Sequence, residues 1–143
     1  MLVSKLLSDK GTDVATIGGG ATVSEAVAEL NRKGIGALVV SADGKHIEGI
    51  VSERDVVRNL DDRHESVLGA TVASIMSTTV FTCTPDDEVV SLMSIMTENR
   101  IRHVPVVLEG VLCGLVSIGD VVKSRIGELE KDRNELVDYI NAR

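Results

Sequence analysis

The sequence predicts an α+β fold, in which two tandem strand-helix-strand-strand-helix repeats pack around a pseudo-twofold axis and an extended C-terminal helix follows. The main observation is internal: the apolar positions of residues 22–40 recur in residues 88–106, at a spacing of 66. The length of 143 residues allows one compact unit or two small ones. Because a repeat of about 50 residues buries little surface by itself, the two copies are expected to pack against each other.

The first helix of each repeat is predicted from a stripe of apolar residues at positions i, i+3, i+4 and i+7. In the first copy Thr22 and Glu25 have the spacing of a capping box, so the helix is expected to begin near Thr22. In the second copy the helix is expected to begin near Thr84, with Pro85 in its first turn. The two stripes consist of Val23, Ala26, Val27 and Leu30, and of Val89, Leu92, Met93 and Met96.

The strands are predicted from short apolar runs on either side of these helices. The first strand of each copy is expected at residues 13–17 and 78–83. The strands after the helices are expected to meet in tight hairpin turns, at Asp-Gly in positions 43–44 and at Glu-Gly in positions 109–110. Each copy thus contributes a small sheet that its helices cover.

A second match completes the repeats, because residues 49–57 align with residues 114–122 and add a last strand and helix to each copy. Residues 61–74 are expected to link the copies. The tail carries Ile126, Leu129, Leu136, Val137 and Ile140 on a broken apolar stripe, which fits either a packed arm or a surface for a partner helix. The predicted units are residues 3–62 for repeat 1, residues 63–125 for the linker and repeat 2, and residues 126–143 for the helical tail.

Composition excludes several classes of function. With 15 basic and 22 acidic residues the formal charge is −7, and with one Phe, one Tyr and no Trp there are few rings for stacking on bases, so nucleic acid is not expected as a partner. The N-terminus is too short and too polar for a signal peptide and no apolar run spans a bilayer, so we expect a cytoplasmic protein without a membrane partner. Cys83 and Cys113 lack metal-ligand spacing and are interpreted as small buried residues, with a disulfide or redox role as the alternative.

Three motifs, in this order of elements, make the chain resemble a stand-alone pair of CBS domains. They are Gly-Ile-Val-Ser-Glu-Arg-Asp at 49–55, Arg-Ile-Arg-His-Val-Pro-Val at 100–106 and Gly-Leu-Val-Ser-Ile-Gly-Asp at 114–120. The resemblance covers roughly residues 3–125. In that family two such repeats form a disc-like module, whose clefts commonly bind AMP, ADP, ATP, S-adenosylmethionine or NAD. The resemblance therefore implies adenosine-containing ligands and does not specify one of them.

The repeated Ser-x-x-Asp at the strand-to-helix junction is the strongest candidate for a binding element. Ser52 and Ser117 stand where a helix N-terminus offers free N–H groups to a phosphate. Asp55 and Asp120, one turn later, can accept hydrogen bonds from the two hydroxyls of a ribose. The same spacing is also that of an ordinary helix cap. Its presence at the same junction in both copies, together with the resemblance, favours ribose binding.

Other candidates surround these junctions. Arg54, Arg102 and His103, with Arg100 nearby, are candidates for contact with the phosphates, although an isolated Arg is commonly a solvated surface charge. Since stacking rings are scarce, the adenine is expected to lie in an aliphatic slot. The resemblance places Ile17, Ala37 and Val39 of the first copy and Thr82, Val104 and Pro105 of the second in this slot, where core packing is the alternative, and Ile118 beside Ser117 completes the set of candidates.

The two clefts are not expected to be identical. Where the second copy has His103 and Pro105, the first has Ala37 and Val39, and Gly18 to Gly20 replace the more usual polar turn before the first helix. One cleft is therefore expected to be empty or adapted to another ligand.

The sequence favours a non-enzymatic regulatory module that binds adenine nucleotides, with no obligatory cofactor and no metal, and that signals to a regulated protein partner. The alternative is a constitutive dimerisation scaffold with degenerate pockets. An enzyme with Asp55 or Asp120 as base is disfavoured because no general acid accompanies either residue. A homodimer of the disc type is expected, because Val56, Val57, Val121 and Val122 place apolar side chains near the edge of the module.

Overall fold

The computed structural model describes residues 1–142, and within them the predicted α+β architecture is confirmed. The first repeat has a sheet in the order β1-β2-β3, with β1 parallel to β2 and β2 antiparallel to β3. The second repeat has the antiparallel pair β4-β5. In chain order the elements are α1 (Val3–Lys10), β1 (Thr16–Ile17), α2 (Val23–Lys33), β2 (Ala37–Val40), β3 (Gly49–Ser52), α3 (Glu53–Arg63), a 3₁₀ helix (His64–Gly69), α4 (Val72–Ile75), α5 (Val89–Asn99), β4 (His103–Leu108), β5 (Val111–Ser117) and α6 (Ile118–Asn141).

The first strand of each repeat is shorter than expected. In the first copy only Thr16 and Ile17 pair with β2. In the second copy the strand predicted at 78–83 was wrong: Cys83 alone bridges to Val106. These contacts correspond, because Ile17 pairs with Val40 as Cys83 pairs with Val106, at the spacing of 66 that the sequence shows.

The first helix of the second copy begins later than predicted. Residues 84–87 form a turn, in which the backbone N–H of Asp87 donates to the carbonyl of Thr84 at 3.1 Å. The Asp87 carboxylate in turn accepts from the N–H of Thr84 at 2.8 Å, and α5 starts only at Val89. Pro85 therefore lies in a turn and not in the first helical turn.

One of the two predicted tight turns is present. In the second copy Glu109 and Gly110 join β4 to β5, both with positive φ, as a two-residue hairpin requires. In the first copy the prediction was wrong, because β2 ends at Val40 and β3 begins at Gly49, leaving a longer loop. The Asp43 carboxylate organises that loop by accepting hydrogen bonds from residues 45 and 46 and from Ser41.

The expected linker is folded and belongs to the first core. Residues 61–74 contain the end of α3, the 3₁₀ helix and the start of α4, and Val67 and Val72 are fully buried. Two separate clusters fill the two repeats. The first consists of Val23, Ala26, Leu30, Leu38, Val40, Val51, Val56, Val67, Val72 and Ile75, and the second of Val3, Leu6, Leu7, Cys83, Val89, Leu92, Met96, Val104, Val106, Val116 and Val121.

Two short helices are exchanged between the repeats, which the sequence did not reveal. Helix α1 leads the first repeat, yet its apolar residues lie in the second cluster, and the N–H of Val3 donates to the carbonyl of Asp87 at 2.8 Å. Helix α4 leads the second repeat, yet it packs in the first cluster, and the N–H of Val72 donates to the carbonyl of Ala21 at 2.8 Å. This reciprocal exchange is the clearest expression of the pseudo-twofold relation between the copies. The predicted unit boundaries at 62 and 125 stay predictions.

Helix α6 opens at the end of β5 and continues far beyond the second core. From Leu129 to Asn141 its side chains are exposed, including the apolar Leu136 and Ile140. No helix among residues 1–142 is long and apolar enough to cross a bilayer. The cysteines are both free thiols, Cys83 buried and Cys113 half-buried. Burial raises the pKa of the Cys83 thiol to about 12.

Candidate functional site

The junction of β3 and α3 holds the first Ser-x-x-Asp. Ser52 is the N-cap of α3, and its hydroxyl accepts from the N–H of Asp55. The Asp55 Oδ2 atom accepts from the backbone N–H of Ser52 at 2.8 Å and from the Ser52 hydroxyl at 3.0 Å. The helix cap that the sequence offered as the alternative to ribose binding is therefore present. The cap uses Oδ2 of Asp55, and Oδ1 makes no hydrogen bond within residues 1–142. We call the space beside this junction the first cleft.

The junction of β5 and α6 repeats the arrangement. The N–H of Asp120 donates to the Ser117 hydroxyl at 3.1 Å, and Oδ2 of Asp120 accepts from the N–H of Ser117 at 2.9 Å. Here a cation is added, since Nζ of Lys10 lies 2.5 Å from the same oxygen. Burial acts to raise the pKa of Asp120, but hydrogen bonds from Lys10 and Ser117 outweigh it and hold the pKa below its usual range. We call the space beside this junction the second cleft.

His103 lies close to both junctions. It opens β4 directly opposite Ser117 of β5, so it belongs to the second junction by strand register. Its ring also faces the first repeat, because a Cβ built on Gly36 would lie 3.2 Å from Cε1 of His103 and 3.3 Å from Oε1 of Glu53. Burial lowers the pKa of His103, and the nearby carboxylates of Glu53 and Asp120 oppose that shift only in part. The imidazole is thus neutral at pH 7 and can donate from one nitrogen and accept at the other.

The arginine candidates differ in what they contact. Arg54 crosses between the repeats, with Nη1 donating to the carbonyl of Arg100 at 3.2 Å. Arg102 is exposed, and its carbonyl accepts from the N–H of Ile118 at 2.8 Å, which ties the start of α6 to the start of β4. The side chain of Ile118 is itself 37 % exposed. Arg54 and Ile118 therefore lie beside the predicted junctions, and Arg102 supplies positive charge near His103.

The predicted adenine-slot residues fall into two groups. Ala37 and Val39 are fully buried on the face of β2 that points away from the first core, because their neighbours Leu38 and Val40 pack into that core. Pro105 alternates in the same way between Val104 and Val106, which belong to the second core. Ala37, Val39 and Pro105 therefore share one feature, since each lies on the face of its strand that points away from the core of its own repeat.

The other slot candidates are placed differently. Ile17 packs against the first core and Val104 lies within the second, so both side chains fill the interior of their repeats. Thr82 is exposed. The position in the first copy that corresponds to Thr82 is Thr16, which pairs with Val39 across β1 and β2. The spacing of 66 in the sequence would have identified Thr16 in place of Ile17.

Three residues near the site were missed by sequence reasoning. Lys10 contacts Asp120 across 110 positions of sequence, and no local pattern announces such a contact. Gly36 and Glu53 meet His103, and the carbonyl of Gly36 accepts from the N–H of Glu53 at 3.0 Å. Gly36 stands where the second copy has Arg102, and this difference between the copies could have identified it as a site residue.

Two cavities lie outside the candidate clefts. One of about 360 Å³ is an apolar groove between α2 and α3 in the first repeat. A smaller one of about 160 Å³ lies beside α5 and α6, near the N-terminal amine, which pairs with Glu128 at 3.2 Å. Neither is lined by a residue predicted to bind ligand. The groove, called here the helical groove, is lined by Val27, Leu30, Asn31, Gly34, Ile35, Glu53, Val56 and Val57.

Comparison with known families decides the identity of the repeats. The family profile described as the CBS domain matches residues 6–62 and 72–127, the two copies found above. The chain belongs to the CBS domain family. CBS pairs are regulatory modules, and the two Ser-x-x-Asp junctions occupy the same position in each CBS repeat of this chain.

The relatives include stand-alone CBS proteins. The mitochondrial CBS domain-containing protein CBSX3 of Arabidopsis thaliana is 37 % identical over 123 residues, which are 83 % of this chain and 60 % of that protein. This chain therefore spans about three fifths of that relative. The CBS-domain containing protein ATU1752 of Agrobacterium tumefaciens has a crystal structure with a TM-score of 0.84 and 42 % identity, covering 87 % of this chain and 99 % of that one.

A further structural relative carries a ligand. The CBS domain protein PAE2072 of Pyrobaculum aerophilum, solved in complex with AMP, has a TM-score of 0.74 and 30 % identity. The match covers 84 % of this chain and 89 % of that one. A protein of the same fold and nearly the same extent therefore binds AMP.

Proposed function

We propose that this CBS pair is a non-enzymatic regulatory module that binds an adenine nucleotide, AMP, ADP or ATP, in the clefts between its repeats and signals to a protein partner. The observation that carries the proposal is the duplicated junction. In each copy the capping box engages only one oxygen of the Asp carboxylate, so Oδ1 of Asp55 and Oδ1 of Asp120 are left to accept ribose hydroxyls. The AMP complex of the Pyrobaculum relative supports the choice of ligand.

The charge around the junctions fits a nucleotide phosphate. Each junction presents a helix N-terminus, which carries partial positive charge and free N–H groups. Arg54 adds a cation at the first cleft and Arg102 at the second, and Arg102 stands close to the neutral ring of His103. The overall charge of −7 makes these local cations necessary for an anionic ligand.

A dimer is part of the proposal. The helical groove is apolar, and Val57 at its edge is 64 % exposed, so this face offers an apolar surface to a partner. On the second repeat Val122 is 45 % exposed, in the position that corresponds to Val57. The expectation for the neighbouring valines was wrong, because Val56 and Val121 are buried in the two cores. We propose that these faces meet in a twofold homodimer.

The output surface is proposed to be the tail. Ser117 caps helix α6, so a ligand held at the second junction contacts the first turn of a helix that ends at Asn141. The apolar residues of the tail are exposed and available to the regulated partner or to a second subunit. The cytoplasm stays our prediction for the location.

Calorimetric titration with AMP, ADP, ATP, NAD and S-adenosylmethionine tests the proposal. Asp55→Ala and Asp120→Ala are each expected to lose about 1–3 kcal/mol of nucleotide binding at their own cleft, because a ribose hydrogen-bond acceptor is removed. Each also loses one capping interaction, which lowers stability by about 1 kcal/mol.

The chain provides a matched control for the loss of a cap. Thr22 and Glu25 form the same capping box at the start of α2, away from both junctions. Glu25→Ala is therefore expected to lower the melting temperature without changing nucleotide affinity. If the two Asp variants behave like Glu25→Ala, the junctions are caps only.

A scaffold with degenerate pockets is the second candidate. It is favoured by the contact of Lys10 with Asp120, which places a cation of the protein on the carboxylate predicted to hold the ribose. A flat calorimetric response to all five ligands, with an intact dimer, would select the scaffold.

A further inference from the structure

Lys10 gives the second cleft a feature that the first lacks. It is the last residue of α1, the helix that the first repeat lends to the second core. Its ammonium donates to the carbonyl of Leu115 at 2.7 Å and to Oδ2 of Asp120 at 2.5 Å. Both ends of the ion pair are partly buried, with 34 % of the Lys10 side chain and 25 % of the Asp120 side chain exposed. The contact is therefore shielded better than a pair on the open surface.

In the first cleft no charged side chain of residues 1–142 bonds to the corresponding strand carbonyl. There the strand carbonyl of Ile50, which corresponds to that of Leu115, accepts from the backbone N–H of Ser77 at 2.9 Å. No lysine or arginine side chain bonds to Asp55 within the described residues, and Arg54 donates instead to the carbonyl of Arg100. The two junctions thus have the same capping box but differ in whether a cation holds the carboxylate.

This inference rests on the proposed function and concerns how the two clefts share the ligand. We propose that Lys10 acts as an internal latch on the second cleft, where its ammonium competes with the ribose hydroxyls for the carboxylate of Asp120. A hydrogen bond between two charged groups is stronger than one from a neutral hydroxyl. While the latch is closed, only Oδ1 of Asp120 is open to a hydroxyl, and the second hydroxyl reaches Oδ2 only after the ammonium leaves it. The apparent affinity for the two contacts is therefore the intrinsic affinity multiplied by the fraction of time that the latch is open.

The consequence is an order of filling. The first cleft has a carboxylate without a cation and binds first, whereas the second cleft fills only when Lys10 leaves Asp120. Because Lys10 ends the exchanged helix, its release also loosens the end of α1 that packs beside β5. Ligand binding in the second cleft is thereby coupled to α1, the helix that the first repeat contributes to the second core.

The test isolates the second cleft and uses AMP as the probe. Asp55→Asn weakens the first cleft while an amide of the same size keeps the cap, and Lys10→Met in the same background removes the ammonium while keeping an unbranched apolar stem. AMP is expected to bind the second cleft about 10-fold more tightly in the double variant than in Asp55→Asn, since one charge-assisted hydrogen bond no longer has to be broken. Calorimetry measures both affinities.

Lys5→Met is the matched control. Lys5 lies on the same helix, and its substitution removes the same charge, but within residues 1–142 its ammonium pairs only with Asp9, at 3.2 Å on the surface. It is expected to leave AMP affinity unchanged. Carbon NMR of the Asp120 carboxyl in the ligand-free protein gives an independent measurement, with a pKa that rises in Lys10→Met and not in Lys5→Met.

The outcomes separate the latch from the proposed function. If AMP binds but Lys10→Met leaves its affinity equal or makes it weaker, the latch is overturned, and in the weaker case Lys10 contacts the ligand instead. If the pKa of Asp120 does not change in Lys10→Met, the contact itself is overturned. If the wild-type protein binds AMP at neither cleft, the proposed function fails and the latch fails with it.

Discussion

Burial and charge oppose each other at His103, and burial prevails. The ring lies against Gly36, and its pKa is below the ordinary value of 6.5 although two carboxylates are near. A native histidine with a lowered pKa stays neutral while the unfolded chain takes up a proton. The stability that depends on His103 is therefore complete above pH 6.5 and is lost as the pH falls from 6.5 towards the lower native pKa.

The first prediction follows from this sign. Between pH 7.5 and pH 5 the melting temperature of the wild-type protein is expected to fall further than that of His103→Gln, whose side chain never takes a proton. His46 and His64 are exposed and are present in both proteins, so they cancel in the difference. Parallel curves for the two proteins would contradict the placement of a neutral His103 between the repeats.

Two glycines mark places where the exchanged helices approach the strands most closely. A Cβ on Gly49 would lie 2.7 Å from Sδ of Met76 and 2.8 Å from the backbone oxygen of Ser77. A Cβ on Gly114 would lie 2.7 Å from a methyl carbon of Leu7. The first obstacle includes backbone that is hydrogen-bonded to Ile50, whereas the second is the end of a flexible side chain.

The second prediction is a difference between the two substitutions. Gly49→Ala is expected to destabilise the protein by about 1–3 kcal/mol, because the backbone at Ser77 must shift. Gly114→Ala is expected to cost less, because Leu7 can rotate away. Urea unfolding of both variants measures the difference, and an equal or reversed order would contradict the close approach at Gly49.

At the scale of elements, the exchanged helix α1 carries part of the second core. Leu6 and Leu7 are each 5 % exposed and pack in the cluster that contains Leu92 and Val104. The stability of the second repeat therefore depends on the first ten residues of the chain. The reciprocal helix α4 gives the first repeat the same dependence on residues that follow it.

The third prediction locates this dependence. Leu6→Ala is expected to cost about 2–5 kcal/mol, the usual cost of emptying a leucine site in a core. Hydrogen exchange should speed up in α5 and β4 before it does so in α2 and β2. Lys5→Ala, at an exposed position of the same helix, serves as the control. Faster exchange confined to the first repeat would contradict the exchange of helices.

What the sequence predicted and what it missed follow from the range of the contacts. The repeats, the helix stripes and both capping boxes at the Ser-x-x-Asp junctions depend on residues a few positions apart, and the structure has them. The exchange of α1 was not predicted because its five-residue match, Val3 to Leu7 with Val72 to Met76, is short and lies at a different spacing from the main repeat.

The late start of α5 has a different cause. Thr84 and Pro85 match a helix start locally, but the backbone there is held by α1, where the N–H of Ser4 donates to the carbonyl of Pro85 at 2.9 Å. The candidate site was predicted in the same uneven way. The Asp residues belong to local motifs, whereas Lys10 and Gly36 reach the site only through the packing of one repeat on the other.

At the scale of the whole molecule, the exposed apolar faces predict an assembly. The fourth prediction is that sedimentation at tens of micromolar finds a dimer, and that Val57→Asp shifts it to monomer by placing a charge at the helical groove. Because Val57 is 64 % exposed, the substitution should leave the fold of the monomer intact. A wild-type monomer, or a dimer that Val57→Asp does not affect, would contradict an interface at this groove.

The dimer can form with the tail inside the interface or outside it, and a substitution in the tail distinguishes the two. Leu136 is 59 % exposed and lies about 20 residues into α6, far from the helical groove in sequence. Leu136→Asp measures the contribution of the tail, which is part of the proposed disc-type dimer. A dimer weakened by both substitutions places the tail in the interface, while one weakened by Val57→Asp alone leaves the tail to the regulated partner.

The central claim is that an adenine nucleotide binds where the two CBS repeats meet, at carboxylates that also cap helices. The most direct measurement is a crystal structure of the full chain grown with saturating AMP. The account predicts AMP in the first cleft, with its ribose hydroxyls within hydrogen-bond distance of Asp55. Where AMP also occupies the second cleft, the account predicts that its hydroxyls reach Asp120 and that Lys10 is displaced. AMP bound in the helical groove, or well-ordered crystals with both junctions free of ligand, would contradict it.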